Sequence, residues 1–329
     1  MFVKVIFLYK CTQNSFLYSD ILMPNDKMQY IPSHKVFRNR IINRLEEIAT
    51  SYTINSRIDL PLKRIFYTGI EKYLQDKDTL YKIIIPTGTM VKMDMSFFKR
   101  IKSKYKNVEL YPLVVDSMGA QSIHMSIARK MLLNEKIWSA VLTFDKLDAR
   151  EYGFMWIGYT YYSAVNDVEA SSKHSDVYYI GLDKGNRTMK YSEVYNFFQA
   201  NAVNCMFNIL GPKYMEYLPD TNLKYVHEYI SYSANISFVK STNCVLEILQ
   251  EKQNAQTVRY FEAITQNKKL LTNYRGVEEL PYYNSDYIKV FDKVSDIDVD
   301  WLKKVEKIDY KYEGDFSPLF LADFVNEIV

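Results

Sequence analysis

Arg259 occupies an unusual place in the stretch QTVRYFEAITQNKKLLT, residues 256–272. The pattern predicts a helix beginning near Thr257, which puts Arg259 in the first turn, at the positive end of the helix dipole, where a carboxylate is normally favoured. A guanidinium fits there if an anion shares the site. The lead-in residues Gln253, Asn254, Gln256 and Thr257 point the same way, because the free N–H groups of a helix start bind phosphates. Guanidinium also matches phosphate oxygens bidentately. Glu262, three residues on, shares a helix face with Arg259. It is placed to accept hydrogen bonds from a ribose diol, or to form an ordinary i,i+3 surface pair with Arg259.

A second group of cations lies in GLDKGNR (181–187), where Lys184 and Arg187 surround Gly185 directly after an apolar run. A glycine turn with two cations suits a diphosphate, and equally an ordinary βα turn. Neither GxGxxG nor GxxxxGK[ST] occurs, so the common dinucleotide and P-loop signatures are absent. Asp116 and Asp145 each end an apolar strand and are candidate bases for deprotonating a hydroxyl, Asp116 first. An Asp in that position is also a natural helix N-cap, and Asp148 reads as a cap or turn former. His124, alone in a helix, is an outside candidate. No His, Cys and Asp cluster has metal-ligand spacing.

Positioning these residues takes an alternation of strands and helices. KIIIP (82–86), VELYPLVV (108–115) and WSAVLTF (138–144) each precede a polar turn and a helical stretch. After the polar break EASSKHSD the pattern restarts with VYYIGL, a helix near 188–201, VNCMFNIL and the strand inside ISFVKSTNCVLEIL. YTYYSAVND (159–167) reads as a strand or strand end. Such alternation predicts an α/β protein with largely parallel sheets. The expected division is 1–171, 172–315 and a terminal amphipathic helix at 316–329 that packs back on the first domain. Ligands of open parallel sheets bind beyond the strands' carboxyl ends. That rule selects residues 87–89, Asp116, Asp145 and Asp148 in the first half, and GLDKGNR with the loop before the opening helix in the second. Two such crevices facing each other would form one cleft.

The chain has 329 residues, 48% apolar and 25% charged, with a net charge of +3. That balance fits a folded protein of two domains and argues against bulk nucleic-acid binding. Ten Gly and nine Pro argue against long linkers and repeats. Three scattered cysteines fit a reducing compartment, and the lysines within MFVKVIFLYK mark a first strand rather than a signal peptide. The expected location is the cytoplasm. KRIKSKYK (99–106) carries Lys99, Arg100, Lys102, Lys104 and Lys106, a solvated helix face or a contact for anionic lipid headgroups. The 29 Tyr and 18 Phe offer rings for sugar stacking, although most are expected in the core.

The segment YVHEYISYSANISFVKSTNCVLEILQEKQNAQTVRYFEAITQNKKLLTNY resembles the nucleotide-sugar-binding region of bacterial glycosyltransferases that build capsule, exopolysaccharide and O-antigen. DVYYIGLDKGNR and VLTFDKLDAREYGF resemble further blocks of that family, so the likeness runs in pieces from about residue 80 to 290. The resemblance implies a GT-B-like fold, two Rossmann-like domains facing each other across a cleft, with no protein-bound metal and no tightly bound cofactor. It implies transfer of a sugar, galactofuranose or a hexopyranose, from a UDP-linked nucleotide-sugar donor to a lipid-linked oligosaccharide acceptor at the inner face of the plasma membrane. Gln256, Thr257 and Arg259 would meet the donor diphosphate with help from Lys184 and Arg187, and Glu262 the ribose. Ala255 stands where relatives often have glycine, which weakens the phosphate loop if φ must be positive there. The alternatives are a non-catalytic nucleotide- or sugar-binding partner in polysaccharide assembly and, more weakly, an oxidoreductase.

Overall fold

A computed structural model describes residues 2–11, 13–55, 61–120, 122–183, 187–250, 253 and 255–328. The chain divides into two compact units, Met1–Ser163 with Ser317–Val329, and Ala164–Phe316.

In the first unit the strands are β1 (Phe2–Tyr9), β2 (Gln29–Pro32), β3 (Thr79–Pro86), β4 (Val108–Val114), β5 (Leu142–Thr143) and β6 (Met155–Trp156). They form one parallel sheet in the order β2-β1-β3-β4-β5-β6. The runs VIFLY and IIIP are buried continuously, as expected of parallel strands covered on both faces. Helices α1 (Arg40–Ala49), α2 (Met95–Lys104), α3 (Ile123–Leu133) and α4 (Lys146–Tyr152) follow polar caps. Asp94 accepts from Phe97 N at 2.8 Å and Ser122 from Met125 N at 3.1 Å, each satisfying an otherwise orphaned donor.

The second unit holds β7 (Ser175–Leu182), β8 (Cys205–Leu210), β9 (Thr242–Glu247), β10 (Lys269–Thr272) and β11 (Ile288–Val290), all parallel in the order β11-β10-β9-β7-β8. Its helices include α5 (Arg187–Ala200), α6 (Tyr232–Lys240) and α7 (Val258–Thr265). Both sheets reverse strand order beside their first strand, at β1/β3 and at β7/β9. A doubly wound sheet opens its ligand crevice at that point.

Three sequence expectations meet corrections here. Residues 159–167 carry no strand, since the backbone N–H of Ser163 goes to Leu17 O at 3.1 Å rather than into a ladder. Of residues 138–144 only Leu142 and Thr143 pair. The boundary falls after Ser163 instead of after 171. Segment 164–171 is held in the second unit by the Lys240 ammonium, which reaches Asn166 O and Val168 O at 2.7 Å each. The last helix, α8 (Phe320–Glu327), lies with the first unit. Buried Lys82 on β3 donates to Val325 O at 2.7 Å and Ile328 O at 2.9 Å, closing the helix's C-terminus with a cation.

Candidate functional site

At the carboxyl end of β9 the chain turns through Ala255 and Gln256 into α7. Thr257 is the N-cap, and its hydroxyl accepts from Arg259 N at 3.2 Å. Glu247, the last residue of β9, is fully buried and fastens this turn. Its Oε1 accepts from Thr257 N at 2.8 Å and from the Thr257 hydroxyl at 2.6 Å, and its Oε2 accepts from the Thr272 hydroxyl at 2.6 Å. Burial raises its carboxyl above the usual range while those hydrogen bonds and Arg259 oppose the rise. Ala255, just before this turn, is buried.

Arg259 is 17% exposed at its side chain, and its Nη1 lies 3.0 Å from Glu262 Oε2 and donates to Asn235 Oδ1 at 3.2 Å. Asn235, on α6, donates to Glu262 Oε1 at 2.8 Å and accepts from Tyr178 on β7 at 3.0 Å. Burial works most strongly against the Arg259 charge, but Glu262, with Tyr232, Tyr178 and Tyr179 beside it, together outweigh it, and the guanidinium stays charged. Glu262 is 0% exposed, and burial pushes its carboxyl upward against the pull of Arg259. A carboxylate enclosed in this way orients the arginine. Gln256 is 3% exposed and its Nε2 has no hydrogen-bond partner among the described residues. An unpaired buried amide beside a helix start is costly unless a ligand meets it.

Lys184 lies outside the described residues. Arg187, at the start of α5, donates to Leu182 O at 2.8 Å and sits over the Tyr191 ring at 5.6 Å. Asp183 in the same turn accepts from the Thr188 hydroxyl at 2.5 Å and from Tyr225.

In the first unit a cavity of about 650 Å³ opens beyond β1, β3 and β4, lined in part by Tyr9, Lys10, Glu47, Thr50, Lys92 and His124. Lys10 is bound to Glu46 and lies 3.3 Å from the Thr50 hydroxyl. Burial and the nearby Lys10 lower the Lys92 ammonium, with Glu46 and Glu47 opposing. Burial likewise lowers the His124 imidazole against the pull of its bond to Thr87 and of Asp116, so the ring favours its neutral form. Asp116 is exposed and accepts from Ser117 N at 3.0 Å. Asp145 is 1% exposed and caps α4, accepting from Leu147 N at 2.8 Å and Asp148 N at 3.4 Å. In this structure its carboxylate serves as a cap, the second of the two roles that its place at a strand end suggested. Buried Asp148 accepts from Met118 N at 2.8 Å; burial pushes it up to about 6, with Asp145, Glu151 and Asp116 adding to the rise.

The basic run is largely engaged. Lys99 pairs with Glu135 and Arg100 with Glu71, each at 2.8 Å, and Lys102 donates to Val108 O at 2.7 Å. Lys104 and Lys106 are exposed, Lys104 lying over the Tyr105 ring. Among the described residues no group of three or more His, Cys, Asp and Glu is placed to hold a metal, and no helix is long and apolar enough to cross a membrane.

Glu247 and Asn235 are the organising residues that the motif reading passed over. The strand-end rule that selected Asp116 and Asp145 also fits Glu247. Nothing in the sequence marks Asn235.

No family model and no curated protein matches the chain. Among solved structures, an α,α-trehalose-phosphate synthase (UDP-forming) from Burkholderia vietnamiensis superposes with a TM-score of 0.50 at 7% identity, over 88% of this chain and 86% of that one. The fold is of the GT-B type. Two further GT-B neighbours are less similar. A lipopolysaccharide outer core galactosyltransferase gives 0.46 at 12% identity, over 99% of each chain. A structure named for a UDP-N-acetylglucosamine 2-epimerase from Listeria monocytogenes gives 0.48 at 8%, over 99% and 95%. At such identities the GT-B fold is what is shared.

Proposed function

We propose that this protein is a glycosyltransferase. It moves a sugar from a UDP-linked nucleotide-sugar donor, galactofuranosyl or hexopyranosyl, to a hydroxyl of a lipid-linked oligosaccharide at the cytoplasmic face of the plasma membrane. The observation that carries this reading is the constellation at the start of α7. The capping Thr257, the Gln256 amide with no partner among the described residues and the charged guanidinium of Arg259 converge at the carboxyl end of β9, beside the switch point of an open sheet.

In this reading the donor diphosphate meets Gln256 Nε2 and the side-chain N–H groups of Arg259 other than Nη1, at the positive end of α7. Lys184 and Arg187 assist from the β7 turn. Glu262 and Asn235 hold the guanidinium in place. As the glycosidic bond breaks, negative charge grows on the departing phosphate, and donors already aimed at it stabilise that charge without reorganisation. The acceptor hydroxyl occupies the first unit's cavity, and exposed Asp116 takes its proton if the anomeric centre is inverted. The UDP donor is favoured because the neighbour at 0.50 is named as UDP-forming. No metal-dependent step is required by this set of residues.

Calorimetric titration with UDP tests the donor site. Arg259→Lys, which keeps the charge and loses the bidentate fork, is expected to weaken binding about tenfold or more. Equal affinity in the variant, with unchanged unfolding, removes Arg259 from the site. Release of UDP from a panel of UDP-sugars with acceptor supplied separates a transferase from a protein that only binds.

A further inference from the structure

Helix α1 (Arg40–Ala49) is turned opposite to the usual orientation of a surface helix. Its inward side is polar. Buried Glu46 receives the Lys10 ammonium and, at 3.0 Å, the Thr50 hydroxyl. Asn43 exchanges hydrogen bonds with the backbone of Phe37 at 3.1 and 2.7 Å. Its outward side carries Ile41, Leu45 and Ile48, spaced i, i+4, i+7 and exposed to 70%, 53% and 44%. Val36 and Ile65 extend the apolar surface. They adjoin α1 because Lys35 N bonds Phe66 O at 2.8 Å, while the Phe37 backbone is tied to Asn43.

Lys35, Arg38, Arg40 and Arg44 are all exposed around this surface, against one exposed carboxylate among the described residues of α1 and its approach, Glu47, which lies 3.3 Å from Arg44. An apolar stripe of this size facing water calls for a cover. A second copy of the chain would bring two sets of these cations together, so self-association is opposed by charge. An anionic bilayer matches both features, taking isoleucine and leucine at the acyl boundary and guanidinium at the phosphates.

We propose that the outward face of α1, with Val36 and Ile65, docks this protein on an anionic membrane surface. The face lies outside the basic run of α2. Thr50 and Glu47, at the end of α1, also line the first unit's cavity, so docking brings that cavity to the lipid surface. The docking does not rest on the transferase reading, since vesicle binding is measured without donor or acceptor.

The test is flotation of the full chain with vesicles of phosphatidylcholine containing phosphatidylglycerol, and with phosphatidylcholine alone. Binding is expected to require the anionic lipid. The triple substitution Ile41→Ser, Leu45→Ser, Ile48→Ser should weaken it about tenfold or more, because the apolar insertion is lost. Arg38→Glu with Arg40→Glu should weaken it comparably, while Lys104→Glu with Lys106→Glu leaves it nearly unchanged. Circular dichroism and the unfolding transition confirm that each variant is folded. The proposal is overturned if the wild type does not float, if floating ignores lipid charge, or if only the Lys104 and Lys106 changes abolish it. A stable dimer in sedimentation that the triple variant dissolves would overturn it too.

Discussion

Arg259 and Glu262 show how one side chain's setting decides its role. With Glu262 fully enclosed, Glu262→Ala strands a guanidinium that is largely out of water, and the expected cost is about 3–5 kcal/mol in urea unfolding. Glu262→Gln keeps the bond from Asn235 and should cost less. The variants differ little if the pair behaves as a surface pair, which is worth about 1 kcal/mol at most. His34 supplies a pH signature. Burial first, then Lys10 and Lys92, lower its imidazole from 6.5 to about 3. Between those values the unfolded chain binds the extra proton, so stability rises with pH across the window. It is complete above 6.5 and is lost as pH falls toward 3. His34→Gln should flatten this dependence, and the difference from the wild type at pH 4 should be about 3 kcal/mol, read from unfolding curves at several pH values.

At the scale of elements, both sheets use a buried lysine to hold a helix end. Lys82 on β3 serves α8, and Lys269 on β10 donates to Trp301 O at 2.7 Å and Lys304 O at 2.6 Å while lying 2.9 Å from Glu306. Lys269→Met leaves those carbonyls without their donor and should cost about 3 kcal/mol in denaturant unfolding. Lys82→Met should speed amide exchange in α8 without altering exchange in β7–β11. Lys82 sits within an apolar strand run and Lys269 opens one, and a strand pattern reads the first as an interruption and the second as an end; only the carbonyls brought opposite them give them a purpose. Helix starts were easier to anticipate, because Asp145 and Thr257 are capping types standing at the right places. Asp145 shows the limit of that signal. One residue type serves both as cap and as base, and burial alone separates the two.

For the whole molecule, the chain leaves the first unit after Ser163 and returns to it at Ser317. Truncation after Phe316 removes α8 and the partner of Asp20, whose carboxylate accepts from the Ser317 hydroxyl. It should lower the unfolding temperature of the first unit by several degrees while the second unit's transition stays in place, as calorimetry can resolve. The parallel α/β organisation was legible in the sequence, because strands covered on both faces read as unbroken apolar runs and helices between them carry their own caps. The likeness of residues 225–274 to a nucleotide-sugar-binding segment rested on the same local order. Tertiary structure alone decided which polar groups are shielded from water. It enclosed Glu262 and Asp145, brought Glu247 and Asn235 to Thr257 and Arg259, and turned the apolar stripe of α1 outward. Periodicity fixes the spacing of a helix's faces, whereas the elements packed against it determine which face is covered.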